Sequence, residues 1–188
     1  MVAELLSDRV KFKLYTTEQH LKKLKDLEEK YGSLAATEAR VPAEMEIDCF
    51  FSQIIGAVDS FLVQINDKLG LHIPINEVEF SRLQSELSAK TKKIGLLTNL
   101  DKARRHGCWY WLLNEFRNHS LHTTLIPKLI EKEVGMDAED TKVYFKKDLR
   151  DIKSPQMEEE EVIPYLEKNL QQVKDLIDDI KEKEQLLK

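Results

Sequence analysis

Polar residues able to act on a phosphodiester stand together between positions 117 and 122. Arg117, Asn118, His119 and His122 follow directly on Phe116, the last apolar residue of a predicted helix. A guanidinium can hold a phosphate through two hydrogen bonds and offset the charge that develops on its oxygens. An imidazole can accept or release a proton near pH 7. Arginine and histidine together supply what cleavage of RNA requires, without a metal ion.

The order of these residues resembles the motif of the HEPN superfamily, the higher eukaryotes and prokaryotes nucleotide-binding domains. The segment 117–122 has the order Arg-Asn-x-x-x-His. The resemblance implies a helical bundle and a metal-independent endoribonuclease of the toxin or phage-defence type. It assigns phosphate binding to Arg117, orientation of the site or substrate to Asn118, and the catalytic imidazole to His122. His119 occupies a position that the motif leaves open.

Helix geometry separates the two residues that such a site must bring together. At about 100° per residue, Arg117 and His122 lie roughly 140° apart on a straight helix, whereas Asn118 and His122 share a face. The arginine must reach across, the helix must distort after Phe116, or a partner subunit must complete the site. The resemblance implies a homodimer, because family members commonly pair their motif helices across a dimer to form one RNA cleft. The 2′-hydroxyl of the RNA is then the nucleophile.

RNA binding by this chain would depend on a local surface. The net charge is −5, so the molecule as a whole lacks the positive field that attracts nucleic acid. A basic stretch upstream of the motif contains one acid, Asp101, among Lys90, Lys92, Lys93, Lys102, Arg104, Arg105 and His106. Trp111 falls outside the apolar stripe of its helix, where it could stack on a base or be covered by a partner. The candidate RNA contacts are therefore Lys102, Arg104, Arg105, Trp111 and His119.

The same residues also have a purely structural interpretation. Arg117 and Asn118 would form surface hydrogen bonds, while His119 and His122 would face the negative end of the helix dipole. A separate alternative is a non-catalytic HEPN-like interaction or nucleotide-binding module with an antitoxin-like protein partner. The two hypotheses differ in whether Arg117 and His122 share a cleft.

The elements that must position these residues are predicted to be helical. The apolar spacing predicts an all-α, up-and-down bundle of about five helices in a single domain over residues 1–188. The first runs from Val10 to Tyr31 and ends at Gly32. The second begins with Pro42 in its first turn and ends before Gly70; its apolar residues surround it, so it is expected at the centre.

Three further helices complete the predicted bundle. Asn76 and Glu79 form a capping-box pattern that predicts a third helix running toward Gly95. The fourth begins near Thr98 or Asp101 and continues through Phe116. The last begins between Glu158 and Glu161, with Pro164 in its first turn. Between the fourth and the last, we expect loops and a short helix after Pro127, and Val143-Tyr144-Phe145 favours a small β-hairpin.

Composition narrows the remaining classes of function. The 188 residues are 41% hydrophobic and 34% charged, which is typical of a folded helical protein. No nucleotide-binding glycine loop or nucleophile elbow occurs, and Cys49 and Cys108 have no companions at metal-ligand spacing. We therefore expect neither metal nor cofactor. The absence of a signal sequence or an apolar membrane span predicts a cytoplasmic protein.

Overall fold

The fold is mostly helical, with one small sheet. The computed structural model describes residues 2–90, 95–122, 125–126, 128–134, 139–146 and 160–186, without the side chains of residues 122, 132–134, 139–140 and 184–186. Its helices are α1 (Val2–Ser7), α2 (Arg9–Tyr31), α3 (Thr37–Lys68), α4 (Phe80–Lys90), α5 (Thr98–Ala103), α6 (Trp109–His122) and α7 (Val162–Leu186). Its strands are β1 (Lys128–Val134), β2 (Glu139–Phe145) and β3 (Glu160–Glu161).

Helix α3 lies at the centre, as its apolar pattern predicts. It contacts α2, α4, α6 and α7, and its buried residues include Phe50, Phe51, Ile54 and Ile55 on successive turns. The start of α3 was predicted wrongly, because the helix begins at Thr37 and Pro42 lies inside it. The proline ring therefore leaves one carbonyl of the preceding turn without its usual helical donor.

Local backbone signals end two of the predicted helices. Gly32 adopts a left-handed φ of 76° and ends α2, as predicted. Gly107 also has a left-handed φ, 79°, and divides the predicted fourth helix into α5 and α6. Together with α1, which was not predicted, this division gives the described residues seven α-helices where about five were predicted. Asn76 lies within a 3₁₀ turn, Ile75–Glu77, and α4 begins only at Phe80, so the predicted capping box is wrong.

The predicted hairpin is present, but the helix expected after Pro127 is not. Pro127 lies outside the described residues, and strand β1 begins at the next residue, Lys128. It pairs antiparallel with β2, with Ile130 opposite Val143, and β3 pairs with the other edge of β2. The segment 128–134 has no decisive pattern of its own, so pairing with a distant strand determines its structure. The last helix follows β3 directly, with Pro164 in its first turn as predicted.

Aromatic rings join the sheet to three helices. Phe116 of α6 lies 5.4 Å from the ring of Phe51 in α3, 5.2 Å from Phe145 in β2 and 5.6 Å from Tyr165 in α7. All four side chains are buried. This aromatic cluster fixes the position of α6 one residue before Arg117. Within the described residues, none of the helices has the length and apolar run that a membrane crossing needs.

Candidate functional site

The orientation of α6 is set by the side that packs on the core. Leu113 and Phe116 are completely buried, and one turn later Ser120 donates a hydrogen bond to the carboxylate of Asp48 in α3. These contacts lie three and four residues apart, so they follow one face of the helix. The polar residues between them are consequently turned to a different side.

That other side of α6 lines a cavity of about 670 Å³. Its residues on the helix recur at helical spacing and form one face: Tyr110, Trp111, Asn114, Arg117 and Asn118. The volume lies within the range of small-molecule sites in proteins. The cavity is large enough for a nucleotide.

The facing walls come from α3, the segment before α4, and the end of α5. Helix α3 contributes Asp59 and Ser60, and the segment before α4 contributes Glu79. Arg104 follows α5, and its guanidinium stacks over the ring of Phe80, 4.2 Å from the ring centre. Stacking of this kind holds a guanidinium in place while leaving its N–H groups available to an acceptor.

Two arginines in this cavity have buried nitrogens without a hydrogen-bond partner. They are Nε of Arg117 and Nη1 of Arg104. The Nη2 group of Arg117 donates to Oδ1 of Asn118 at 3.1 Å, but among the described residues neither guanidinium has a carboxylate at ion-pair distance. Buried donors are nearly always satisfied in folded proteins. The cavity therefore carries two guanidinium charges that no carboxylate of the described residues pairs with, and an anion could bind there.

Asp59 gives the cavity one negative group close to these arginines. Its side chain is exposed and lines the cavity, although nearby protein atoms remove part of its hydration. This partial desolvation raises the pKa of Asp59, while the positive charges of Arg117, Arg104 and Lys13 oppose the rise. Burial, and secondarily the charge of Asp59, also raises the pKa of Tyr110, so its hydroxyl stays protonated at neutral pH.

The structure brings some of the predicted site residues together and separates others. Arg117, Asn118, Arg104 and Trp111 line the cavity. The residues Lys102, Arg105 and His119 do not line it: Lys102 is exposed, Arg105 forms an ion pair with Asp101 at 3.4 Å, and His119 is half-buried elsewhere on α6.

Whether Arg117 and His122 share a cleft stays a prediction, because the structure does not describe the side chain of His122. His122 is the last residue of α6, one turn beyond Asn118, but its side chain lies outside the described part of the chain. Within the basic stretch, Lys92 and Lys93 also lie outside it. Lys90 is directed elsewhere, since its ammonium donates to the carbonyl of Leu71 at 2.7 Å.

The chain was compared with protein-family models, curated proteins and solved structures. None of them matches it.

Asp59 and Asn114 are among the residues of this cavity that sequence reasoning missed. A signal for Asp59 was available, because it is an acid between Val58 and Phe61 in the most apolar helix of the chain. Asn114 stands one turn before Asn118 on the same face of α6, and its amide donates to the carbonyl of Tyr110 at 3.1 Å. Extending the motif backwards at helical spacing would have included Asn114.

Proposed function

We propose that this chain is a metal-independent endoribonuclease that holds the phosphate of single-stranded RNA in the cavity between α3 and α6. One observation supports the proposal above all: Arg104 and Arg117 line the same cavity, and each has a buried nitrogen without a partner. Two guanidiniums at a phosphate offset the negative charge that develops in the transition state. Such stabilisation replaces the role that a divalent metal has in other nucleases.

The proposed reaction needs a proton carrier beside the phosphate. The 2′-hydroxyl oxygen of the RNA attacks the adjacent phosphorus as the bond to the 5′-oxygen breaks, giving a 2′,3′-cyclic phosphate and a 5′-hydroxyl end. The proton of the 2′-hydroxyl is removed and one is delivered to the leaving oxygen, and we assign this transfer to His122. The assignment follows from the motif and from the place of His122 one turn after Asn118 on α6.

Cleavage assays with purified protein test this function. We expect cutting of single-stranded RNA to persist in excess EDTA, and both Arg117→Ala and His122→Ala to reduce its rate at least about 100-fold. His119→Ala is the matched control, because it removes an imidazole from the same helix at a position that does not line the cavity. Intact RNA after incubation with folded protein, or undiminished cutting by both variants, contradicts the proposal.

A second candidate function is nucleotide binding without cleavage. The size of the cavity, about 670 Å³, favours it, because a mononucleotide could fit there and pair with both arginines without the rest of an RNA chain. Binding of nucleotides by a protein that leaves RNA intact would identify this function. An RNA-cleaving protein would exclude it.

In the proposed function a second copy of the chain completes the site, so cleavage also requires a homodimer. Large apolar side chains are exposed at the end of α6 and just beyond, with Leu121 54% and Leu125 55% accessible. A second copy of the chain covering these residues would bring two motif helices together. We expect light scattering at high micromolar concentration to give the mass of a dimer, with Leu121→Asp shifting it to the monomer. A monomer at that concentration in the unsubstituted protein would remove the support for a shared site.

A further inference from the structure

The cavity contains an acceptor as well as donors without partners. No described residue donates a hydrogen bond to the carboxylate of Asp59, although that carboxylate faces the cavity and lies in the field of Arg104 and Arg117. The two positively charged arginines favour an anionic ligand, and the carboxylate favours a ligand with hydrogen-bond donors. A free phosphate satisfies only the first requirement, whereas a nucleotide with donors on its base satisfies both.

The chemistry of a carboxylate discriminates among the four bases. An ionised carboxylate has two acceptor oxygens and no donor. Guanine is the one RNA base whose pairing edge carries two adjacent donors, N1–H and the N2 amino group. Adenine and cytosine each place an acceptor beside their amino group, and uracil flanks its single N–H with two carbonyls. Those three edges direct an acceptor lone pair at the carboxylate.

The same cavity offers a surface for the face of a base. Trp111 lines it from α6, with the His106 ring 4.4 Å away on one side. Stacking on an indole is tolerant of sequence, because every base has a π face. Trp111 can therefore contribute affinity, and the choice among bases falls to Asp59.

We propose that Asp59 selects guanine, with its two carboxylate oxygens accepting hydrogen bonds from N1–H and the N2 amino group while Arg104 and Arg117 hold the adjacent phosphate. The inference rests on the proposed use of this cavity for RNA. It adds a specificity-determining residue and a substrate class, namely RNA with guanine next to the scissile phosphate.

Binding of mononucleotides tests the inference without requiring cleavage. We expect titration calorimetry to show 3′-GMP binding at least about 10-fold more tightly than 3′-AMP, 3′-CMP or 3′-UMP, as a bidentate contact to a base permits. Inosine 3′-monophosphate, which keeps N1–H and lacks the N2 amino group, should fall between GMP and the others. Asp59→Asn should abolish the preference, because an amide presents one donor and one acceptor.

Glu79→Gln is the matched control. It removes one negative charge from an exposed side chain of the same cavity, so it should leave the preference for guanine intact. If Glu79→Gln abolishes the preference as well, the effect belongs to the charge of the cavity, and the assignment to Asp59 is wrong. A circular-dichroism spectrum of each variant establishes that it is folded.

Mapping of the cut sites separates this inference from the proposed function. Cutting without preference for guanine, or equal affinity for the four mononucleotides, overturns the inference and leaves the ribonuclease proposal standing. Tight binding of 3′-GMP by a protein that leaves RNA intact supports the inference and overturns the ribonuclease proposal. If neither RNA nor any mononucleotide binds, both are wrong.

Discussion

Phe116 and Arg117 are neighbours in the sequence but belong to opposite kinds of environment. Phe116 is completely buried among the rings of Phe51, Phe145 and Tyr165, which come from three other elements. Arg117 faces the cavity with a buried Nε that has no partner. On the first side every contact is made within the protein, whereas on the second side some donors are left unpaired.

The packed side contributes stability, and the proposed function assigns binding to the cavity side. A buried polar group without a partner costs free energy, so folding alone does not favour it. Local departures of this kind concentrate at functional sites. The aromatic side of α6 therefore holds the helix in place, and in the proposed function the cavity side presents Arg117 to a ligand.

The largest predicted loss in the free energy of unfolding is on the packed side of α6. Phe116→Ala should lower the free energy of unfolding by about 3–5 kcal/mol, because it removes a ring from the centre of the aromatic cluster. Arg117→Ala, one residue later, should cost about 1 kcal/mol or less, since its side chain lines a cavity. Urea denaturation of both variants measures the contrast. Equal losses at the two positions would show that Arg117 is a structural residue.

A smaller loss in the free energy of unfolding is expected at the hydrogen bond that anchors α6 to α3. Ser120→Ala removes the hydrogen bond to Asp48 and should cost about 1–2 kcal/mol. Ser88→Ala is the control, since Ser88 is exposed and bonds only to a carbonyl of its own helix. If the two serine variants unfold at the same urea concentration as the unsubstituted protein, Ser120 does not anchor the motif helix.

The smallest change in stability is expected at Asp59, and there the substitution should stabilise the protein. Its raised pKa means that protonated Asp59 favours the folded state, and this contribution is lost as the pH rises through the folded-state pKa. Asp59→Asn should therefore raise the melting temperature slightly at pH 7, by an amount that shrinks as the pH falls through that pKa. Asp178→Asn, at an exposed acid, should show no such dependence. A lower melting temperature for Asp59→Asn at pH 7 would mean that the carboxylate stabilises the fold.

Local signals made much of the helical fold predictable. Gly32 and the apolar spacing before it define the end of α2, and the wide apolar pattern of α3 correctly placed it at the centre. The break at Gly107 was missed because apolar residues continue on both sides of it. Strand β1 was missed because its structure depends on pairing with β2, which periodicity within 128–134 does not reveal.

The part of the cavity that the sequence predicted comes from α6 and from Arg104, which follows α5. Arg117 and Asn118 stand out by residue type, and Trp111 by its place outside the apolar stripe. Asp59 lies on another helix, and only the packing of α3 against α6 brings it to the same cavity. Sequence spacing carries no information about that contact, so Asp59 could have been flagged as an unusual acid but not assigned to the site.

In the proposed function, Arg117 binds the phosphate of RNA inside this cavity. Arginine Nε–H signals in nuclear magnetic resonance spectra report on it directly, because Nε of Arg117 is the unpartnered atom. The Arg117 signal is assigned as the one that is missing from the spectrum of Arg117→Lys. The probe is a guanine-containing 2′-O-methyl oligonucleotide, which cannot be cleaved because it lacks free 2′-hydroxyl groups. We predict that the Arg117 signal shifts on titration with this oligonucleotide and that the shift saturates. The signal of the exposed Arg9 should stay in place. An unchanged Arg117 signal, or shifts of both arginines without saturation, would contradict the account.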